Sequence, residues 1–96
     1  MNSDLKHAIE SYCSMLPYPN SSAQPNDDRR LYGISYFLVK TGEALDEDFF
    51  KKELRKNTRA GLDNLNDTQF NEFVEGRISE INNGKYVIDR ISHLIN

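Results

Sequence analysis

The sequence is poor in the residues that carry metal binding and catalysis. Its single cysteine, Cys13, excludes an internal disulfide, so the fold does not depend on an oxidising compartment. The two histidines, His7 and His93, lie near opposite ends of the chain, and neither forms a metal-ligand pattern with Cys13. A Cys–His nucleophile pair would need a flanking signature that this sequence lacks. These absences predict a protein without a metal site, without a cofactor and without enzyme activity.

Long apolar runs and an excess of basic charge are also missing. The longest near-apolar run, residues 31–39, is far shorter than the roughly 20 residues that cross a bilayer. Acids lie where a signal peptide would be basic and then apolar, which predicts a cytoplasmic protein without membrane contact. The formal net charge of −3 and the isolated glycines disfavour general nucleic-acid and phosphate binding.

The residues that are present predict one small domain over residues 1–96. Hydrophobic residues make up 38% and charged residues 28%, with both signs interspersed, which is typical of a folded chain. Apolar residues recur at three- and four-residue steps, which predicts an all-α fold, a compact bundle of about five short helices. The predicted core centres on Phe37, Phe49, Phe70 and Phe73.

The first helix and the loop after it have clear boundary signals. Asn2 or Ser3 is placed to cap the helix. Pro17 stops it, because the residue before a proline is pushed away from helical angles. The next stretch, about 17–28, holds all three prolines and several Asn, Ser and Asp residues, which predicts an exposed loop.

The second helix begins at Asp27 or Asp28 and ends before Gly42. Its residues are apolar nearly all round, which predicts the central and most buried helix of the bundle. A strand is the alternative, since Tyr, Ile, Phe and Val favour strands, but the capping acid and the closing glycine favour a helix.

The last third of the chain predicts two helices. Asn66 or Asp67 is placed to cap the fourth helix. The sequence Asn82-Asn83-Gly84 predicts its end, because Asn and Gly tolerate the left-handed conformation that terminates helices. A fifth amphipathic helix then follows.

The third helix, roughly 46–57, carries acids in its first turn and bases in its last. Asp46 is placed to cap it, and Glu47 and Asp48 follow, an order that complements the helix dipole. This segregation has a sufficient structural cause, yet the same acids can also form a surface for a partner. The bases fall broadly along one face, a stripe that could contact phosphates: Lys51, Lys52, Arg55, Lys56 and Arg59.

A resemblance sharpens the functional expectation. The stretch DDRRLYGISYFLVKTGE, residues 27–43, continuing through LDEDFF, residues 45–50, resembles small bacterial immunity proteins of contact-dependent growth inhibition and related polymorphic-toxin systems. The resemblance covers about half of the chain. It implies a cytoplasmic, non-enzymatic protein that binds and neutralises a cognate toxin domain, in many cases a nuclease with a basic cleft. An acidic surface can block such a cleft by charge complementarity.

Three acidic surfaces and a set of tyrosines are the predicted partner-binding residues. The first surface is Asp27 with Asp28, which can also act as local helix caps; the second is Glu43 with Asp46, Glu47 and Asp48; the third is Glu72 and Glu75, with Glu80. Tyr18, Tyr32 and Tyr36 are the candidate aromatic anchors, because interface hot spots favour Tyr, Trp and Arg.

The alternative function is a small helical regulator or adaptor of phage origin that contacts nucleic acid through residues 51–59. An enzyme ranks third, because no convergent catalytic set is visible in the sequence.

Overall fold

The computed structural model describes residues 1–17 and 27–95, and within them the chain forms four α-helices and one 3₁₀ turn. The elements are α1 (Ser3–Met15), α2 (Asp27–Thr41), α3 (Glu47–Arg55), the 3₁₀ turn (Leu62–Asn64) and α4 (Asp67–Ile95). The described residues contain no strand, so the all-α prediction is confirmed and residues 31–39 are helical. The predicted loop falls mostly on residues 18–26, which lie outside the described part.

Successive helices run in opposite directions. The backbone N–H of Asn2, at the start of α1, donates to the carboxylate of Glu43, just beyond the end of α2, at 3.2 and 3.3 Å. Asn57, just beyond the end of α3, donates to carbonyls at the end of α1. Arg55 at the end of α3 lies 3.3 Å from Asp67 at the start of α4. The bundle is therefore up-down-up-down: α1 and α3 begin at what we call its first end, and α2 and α4 begin at its second end.

Most of the predicted helix boundaries are confirmed, and side chains explain them. The Asn2 side chain accepts the backbone N–H groups of Asp4 and Leu5, as an N-cap does. Leu16 is extended, with ψ of 146°, as expected of a residue before proline. Gly42 ends α2 with a φ of +72°, the left-handed conformation that glycine adopts without strain.

The start of α4 has a reciprocal cap. Asn66 Oδ1 accepts the backbone N–H of Gln69 at 2.8 Å, and Gln69 Oε1 accepts the backbone N–H of Asn66 at 3.1 Å. This is a capping box, which satisfies two backbone donors that the first turn would otherwise leave open. The predicted cap at Asn66 is confirmed.

The prediction of a helix end at Asn82-Asn83-Gly84 is wrong, because α4 continues through it to Ile95. Gly84 is buried, and a Cβ at this position would lie 2.5 Å from Ser35 Oγ and 2.7 Å from Tyr32 Cδ1. The glycine is therefore required where α2 and α4 come closest, not for a turn. Residues 1–17 and 27–95 therefore form four helices where five were predicted, since the predicted fourth and fifth are one helix.

The core is built from aliphatic side chains of all four helices, with Phe50 at its centre. Phe50 and Leu54, four residues apart on α3, are both completely buried. Phe70 is buried as predicted, whereas Phe37, Phe49 and Phe73 are only partly buried against the edge of the core. On α3, Phe49 is about 100° around the helix from Phe50, so only one of these two neighbours can face the centre.

α2 is less enclosed than its composition predicts. Leu31, Ile34 and Leu38 are buried on the faces that pack against α1 and α4. Tyr32 and Tyr36 are exposed, so the nearly all-round apolar composition of α2 does not correspond to burial on every side. The reason is geometric: α2 packs against α1 and α4, and the rest of its circumference stays toward solvent.

Candidate functional site

The predicted acidic surfaces lie at different ends of the bundle. Glu47 and Asp48 open α3 at the first end. Glu72 and Glu75 lie in the first half of α4, toward the second end, and both are exposed. The structure does not bring these two sets together, so they are separate candidate surfaces. The side chains of Asp27 and Asp28 lie outside the described part of the structure, although the backbone of α2 begins there.

Two of the predicted acids hold backbone of their own chain. Asp46 Oδ1 accepts the backbone N–H of Phe49 at 3.1 Å, which confirms it as the N-cap of α3. Glu43 is half-buried, and its carboxylate accepts the backbone N–H of Asn2 at the start of α1. Both carboxylates therefore stabilise the first end of the bundle, and a partner would have to compete with these bonds.

Glu47 and Asp48 have no such task. Both are exposed, and within the described residues their carboxylates make no hydrogen bond and no ion pair. The positive end of the α3 dipole favours negative charge here, and the pair lies in the first turn of a capped helix. Together with the cap residue Asp46 they present three adjacent carboxyl groups at one end of the molecule.

The predicted tyrosines Tyr32 and Tyr36 are both on the exposed face of α2. Their exposed fractions are 40% and 50%, large values for tyrosine in a small bundle. The Tyr36 ring meets Phe37 edge-on at a centroid distance of 5.4 Å, and Lys40 Nζ lies 6.0 Å from its centre. Tyr18 lies outside the described residues.

The basic stripe predicted over residues 51–59 is largely engaged within the protein. The Arg55 guanidinium lies 3.6 Å from the centre of the Phe70 ring, and it also bonds Asp67. Lys56 donates to Glu53 at 2.8 Å. These contacts reduce the number of cations that a phosphate backbone could meet.

Arg59 has a further structural task that the sequence did not reveal. Its guanidinium donates to the carbonyl oxygens of Ser14 at 2.8 Å and Leu16 at 3.3 Å. Asn57 is buried beside it, and its Nδ2 donates to the carbonyls of Cys13 at 2.7 Å and Leu16 at 2.9 Å. The last carbonyls of α1 are thus capped from the end of α3, more than forty residues away in the chain.

Cys13 is buried in the core, and its environment makes it a poor nucleophile. Burial, with a smaller contribution from the Glu53 charge, raises the pKa of the thiol from its usual 9.0 to about 12. The thiolate, which is the reactive form, is therefore scarce near neutral pH. The side chain acts as a small hydrophobic residue.

The described surface includes open grooves of modest size. One, of about 360 Å³, lies between the end of α2 and the second half of α4, where Glu43, Lys85 and Asp89 line it beside Tyr86. A groove of about 270 Å³ is formed by the Asn57 and Arg59 region, and one of about 290 Å³ lies beside α1 and Arg30. The first two grooves are lined by charges of both signs, and in the second Lys56 already donates to Glu53.

Over residues 1–17 and 27–95, no three His, Cys, Asp or Glu side chains come together as a metal ion would require. No helix in the same residues combines the length and the apolar content of a membrane span.

Comparison of the chain with known protein families, with curated proteins and with solved structures finds no match in any of the three.

Proposed function

We propose that this chain is an immunity protein that binds a cognate bacterial toxin domain and neutralises it by direct contact. The toxin is expected to be a nuclease with a basic surface, and the inhibitor to act in the cytoplasm, without a cofactor and without an activity of its own. The observation that carries the proposal is the pair Glu47 and Asp48: two exposed carboxylates, unpaired in the described structure, on a rigid capped helix.

A surface of this kind suits fast recognition of a basic partner. Clustered charges of one sign raise association rates by about 10- to 1,000-fold when the partner carries the opposite sign. Because Glu47 and Asp48 make no bond inside the described protein, binding would not first have to break one. Asp46 adds a third carboxyl group, although its bond to the backbone of Phe49 limits its freedom.

The basic stripe, by contrast, offers less support for the regulator that contacts nucleic acid. Arg55, Lys56 and Arg59 are already engaged by protein groups, which leaves Lys51 and Lys52 as the stripe's unengaged cations in the described structure. Two lysines near three acids would give weak binding with only a shallow dependence on salt, because the slope scales with the number of phosphates that are contacted.

The test is co-expression with the toxin domain encoded beside this gene, followed by binding kinetics on the purified pair. Cell survival with the wild-type protein, and death without it, is the expected result. Survival that does not depend on this chain, or binding to duplex DNA in place of the toxin, would overturn the proposal.

Two matched double variants then locate the surface. Glu47→Lys with Asp48→Lys should slow association at least about tenfold at low salt, and the loss should shrink as salt is added. Glu72→Lys with Glu75→Lys makes the same change of charge at the other predicted surface, and it should have a smaller effect. If the second pair slows association more than the first, the assignment to α3 is wrong while the function itself stands.

A further inference from the structure

The second half of α4 carries a stripe of exposed apolar side chains that the bundle does not use. Val87, Ile91 and Leu94 are 44%, 49% and 82% exposed. Their spacing of four and then three residues continues from Gly84, and this is the seam that one helix presents to another in a coiled coil. The stripe is distinct from the core-facing side of α4, on which Phe70, Val74 and Ile81 are buried.

The exposed tyrosines of α2 extend this stripe into a patch. Tyr32 lies against Gly84, since a Cβ there would come within 2.7 Å of its ring. α2 and α4 run in the same direction, and Tyr36 follows Tyr32 by one turn as Val87 follows Gly84, so we infer that Tyr36 and Val87 share this side of the helix pair. We call the five residues Tyr32, Tyr36, Val87, Ile91 and Leu94 the α2–α4 patch. Its two tyrosines are exposed on α2, and its three aliphatic side chains are exposed on α4.

The size of the patch fits a small interface. A fully exposed tyrosine presents roughly 200 Å² and an aliphatic side chain somewhat less. The exposed fractions of the five residues then correspond to on the order of 400 Å² per copy, within the range of the largest apolar patches on monomers, which are often functional. Two such patches packed face to face would bury about two-thirds of the roughly 1,200 Å² of total surface that the smallest specific interfaces bury. Polar residues around the patch would supply the remaining buried area.

The charges around the patch favour a second copy of the same chain as its occupant. Glu80 precedes Gly84 by one turn at one end of the patch, and Lys40 lies over the Tyr36 ring, 6.0 Å from its centre, toward the other end. A partner with a strong charge of a single sign would meet a like charge at one end. An antiparallel copy would instead bring the Glu80 end of each molecule toward the Lys40 end of the other.

We propose that the protein forms a two-fold dimer through the α2–α4 patch, with the two α4 helices antiparallel. The dimer does not rest on the immunity function, because it uses neither Glu47 nor Asp48. Its affinity is expected in the micromolar range, as for other small and partly polar interfaces. Below that concentration the protein is a monomer of 11.1 kDa.

The test is sedimentation velocity on the full chain from about 1 µM to about 500 µM, a range that brackets micromolar affinity. The mass should rise from the monomer value to twice that value. Ile91→Lys should weaken association at least about tenfold, because a charge would lie at the centre of the interface. Tyr86→Lys is the matched control: Tyr86 is 61% exposed on the same helix but outside the patch, and its variant should associate like the wild type.

The outcomes separate clearly. Far-UV circular dichroism should show both variants fully helical, since both positions are exposed. A wild-type protein that stays monomeric throughout would overturn the proposal, and so would equal weakening by the two variants. If the monomer instead partitions onto anionic vesicles, and Val87→Asp abolishes this, the patch belongs to a lipid surface and the dimer is wrong.

Discussion

Replacing Gly84 with alanine tests the account of how α2 and α4 pack. Alanine is a better helix former than glycine by about 1 kcal/mol in an open helix, so a purely local view predicts stabilisation. The structure predicts the opposite, because the new Cβ would lie 2.5 Å from Ser35 Oγ and 3.0 Å from Ser35 Cβ. The Ser35 contact cannot relax freely, since its hydroxyl is buried and donates to the carbonyl of Ile81 at 2.7 Å.

The size of the effect follows from these opposing terms. Overpacking a core typically costs about 1–3 kcal/mol. Loss of the bond from Ser35 to Ile81 would add about 1 kcal/mol, and the gain in helix propensity would return about 1 kcal/mol. The variant should therefore lose about 1–3 kcal/mol of unfolding free energy, a large part of the roughly 5–15 kcal/mol of a small domain.

Gly76 provides a control in the same helix. A Cβ at Gly76 would meet nothing within 4 Å, so Gly76→Ala should stabilise the protein by about 0.5–1 kcal/mol. Urea unfolding followed by far-UV circular dichroism measures both variants. Adding Ser35→Ala to Gly84→Ala should recover part of the loss, because it removes the closest atom. A Gly84→Ala protein as stable as the wild type would refute the close approach of α2 and α4.

Two further predictions concern the junction between α1 and α3. Asn57→Ala removes the donors to the carbonyls of Cys13 and Leu16, and it should lower the unfolding free energy measured in urea by about 2–4 kcal/mol. The exposed neighbour is the control, and Thr58→Ala should change the unfolding free energy by less than about 0.5 kcal/mol. Equal effects of the two variants would contradict the cap. Cys13 should react with a thiol reagent only after unfolding. Because the pKa of Cys13 is raised, its contribution to stability is fully present below pH 9.0 and should be lost as the pH rises toward about 12. Over this range the unfolding free energy should fall by up to about 1.4 kcal/mol per pH unit, and the Cys13→Ala variant should lack this slope.

The features that the sequence predicted are those that depend on near neighbours in the chain. Asn2 and Asp46 cap their helices through backbone groups two or three residues away, so their identity alone was enough. Pro17 acts through the backbone angles of Leu16 just before it, and Gly42 acts through its own. The all-α class likewise follows from the spacing of apolar residues within each helix.

The features that the sequence did not predict depend on which helix lies opposite. Gly84 resembles a helix stop until Ser35 and Tyr32 are seen against it. Nothing near Asn57 in the chain shows that it caps a helix more than forty residues earlier. The same limit applies to Phe49 and Phe50, because either could have faced the core until the partner of α3 was known.

The candidate site was predictable only as a set of charges, and the structure divides that set by what each carboxylate already does. A loss of toxin binding in an Asp46 variant could arise from a weakened α3, since removing a helix cap costs about 0.5–2 kcal/mol. A Glu43 variant would likewise disturb the start of α1. Glu47 and Asp48 contribute to the fold only through the helix dipole, about 0.3–1 kcal/mol each. They are therefore the acids at the first end of the bundle whose replacement reports on binding more than on folding.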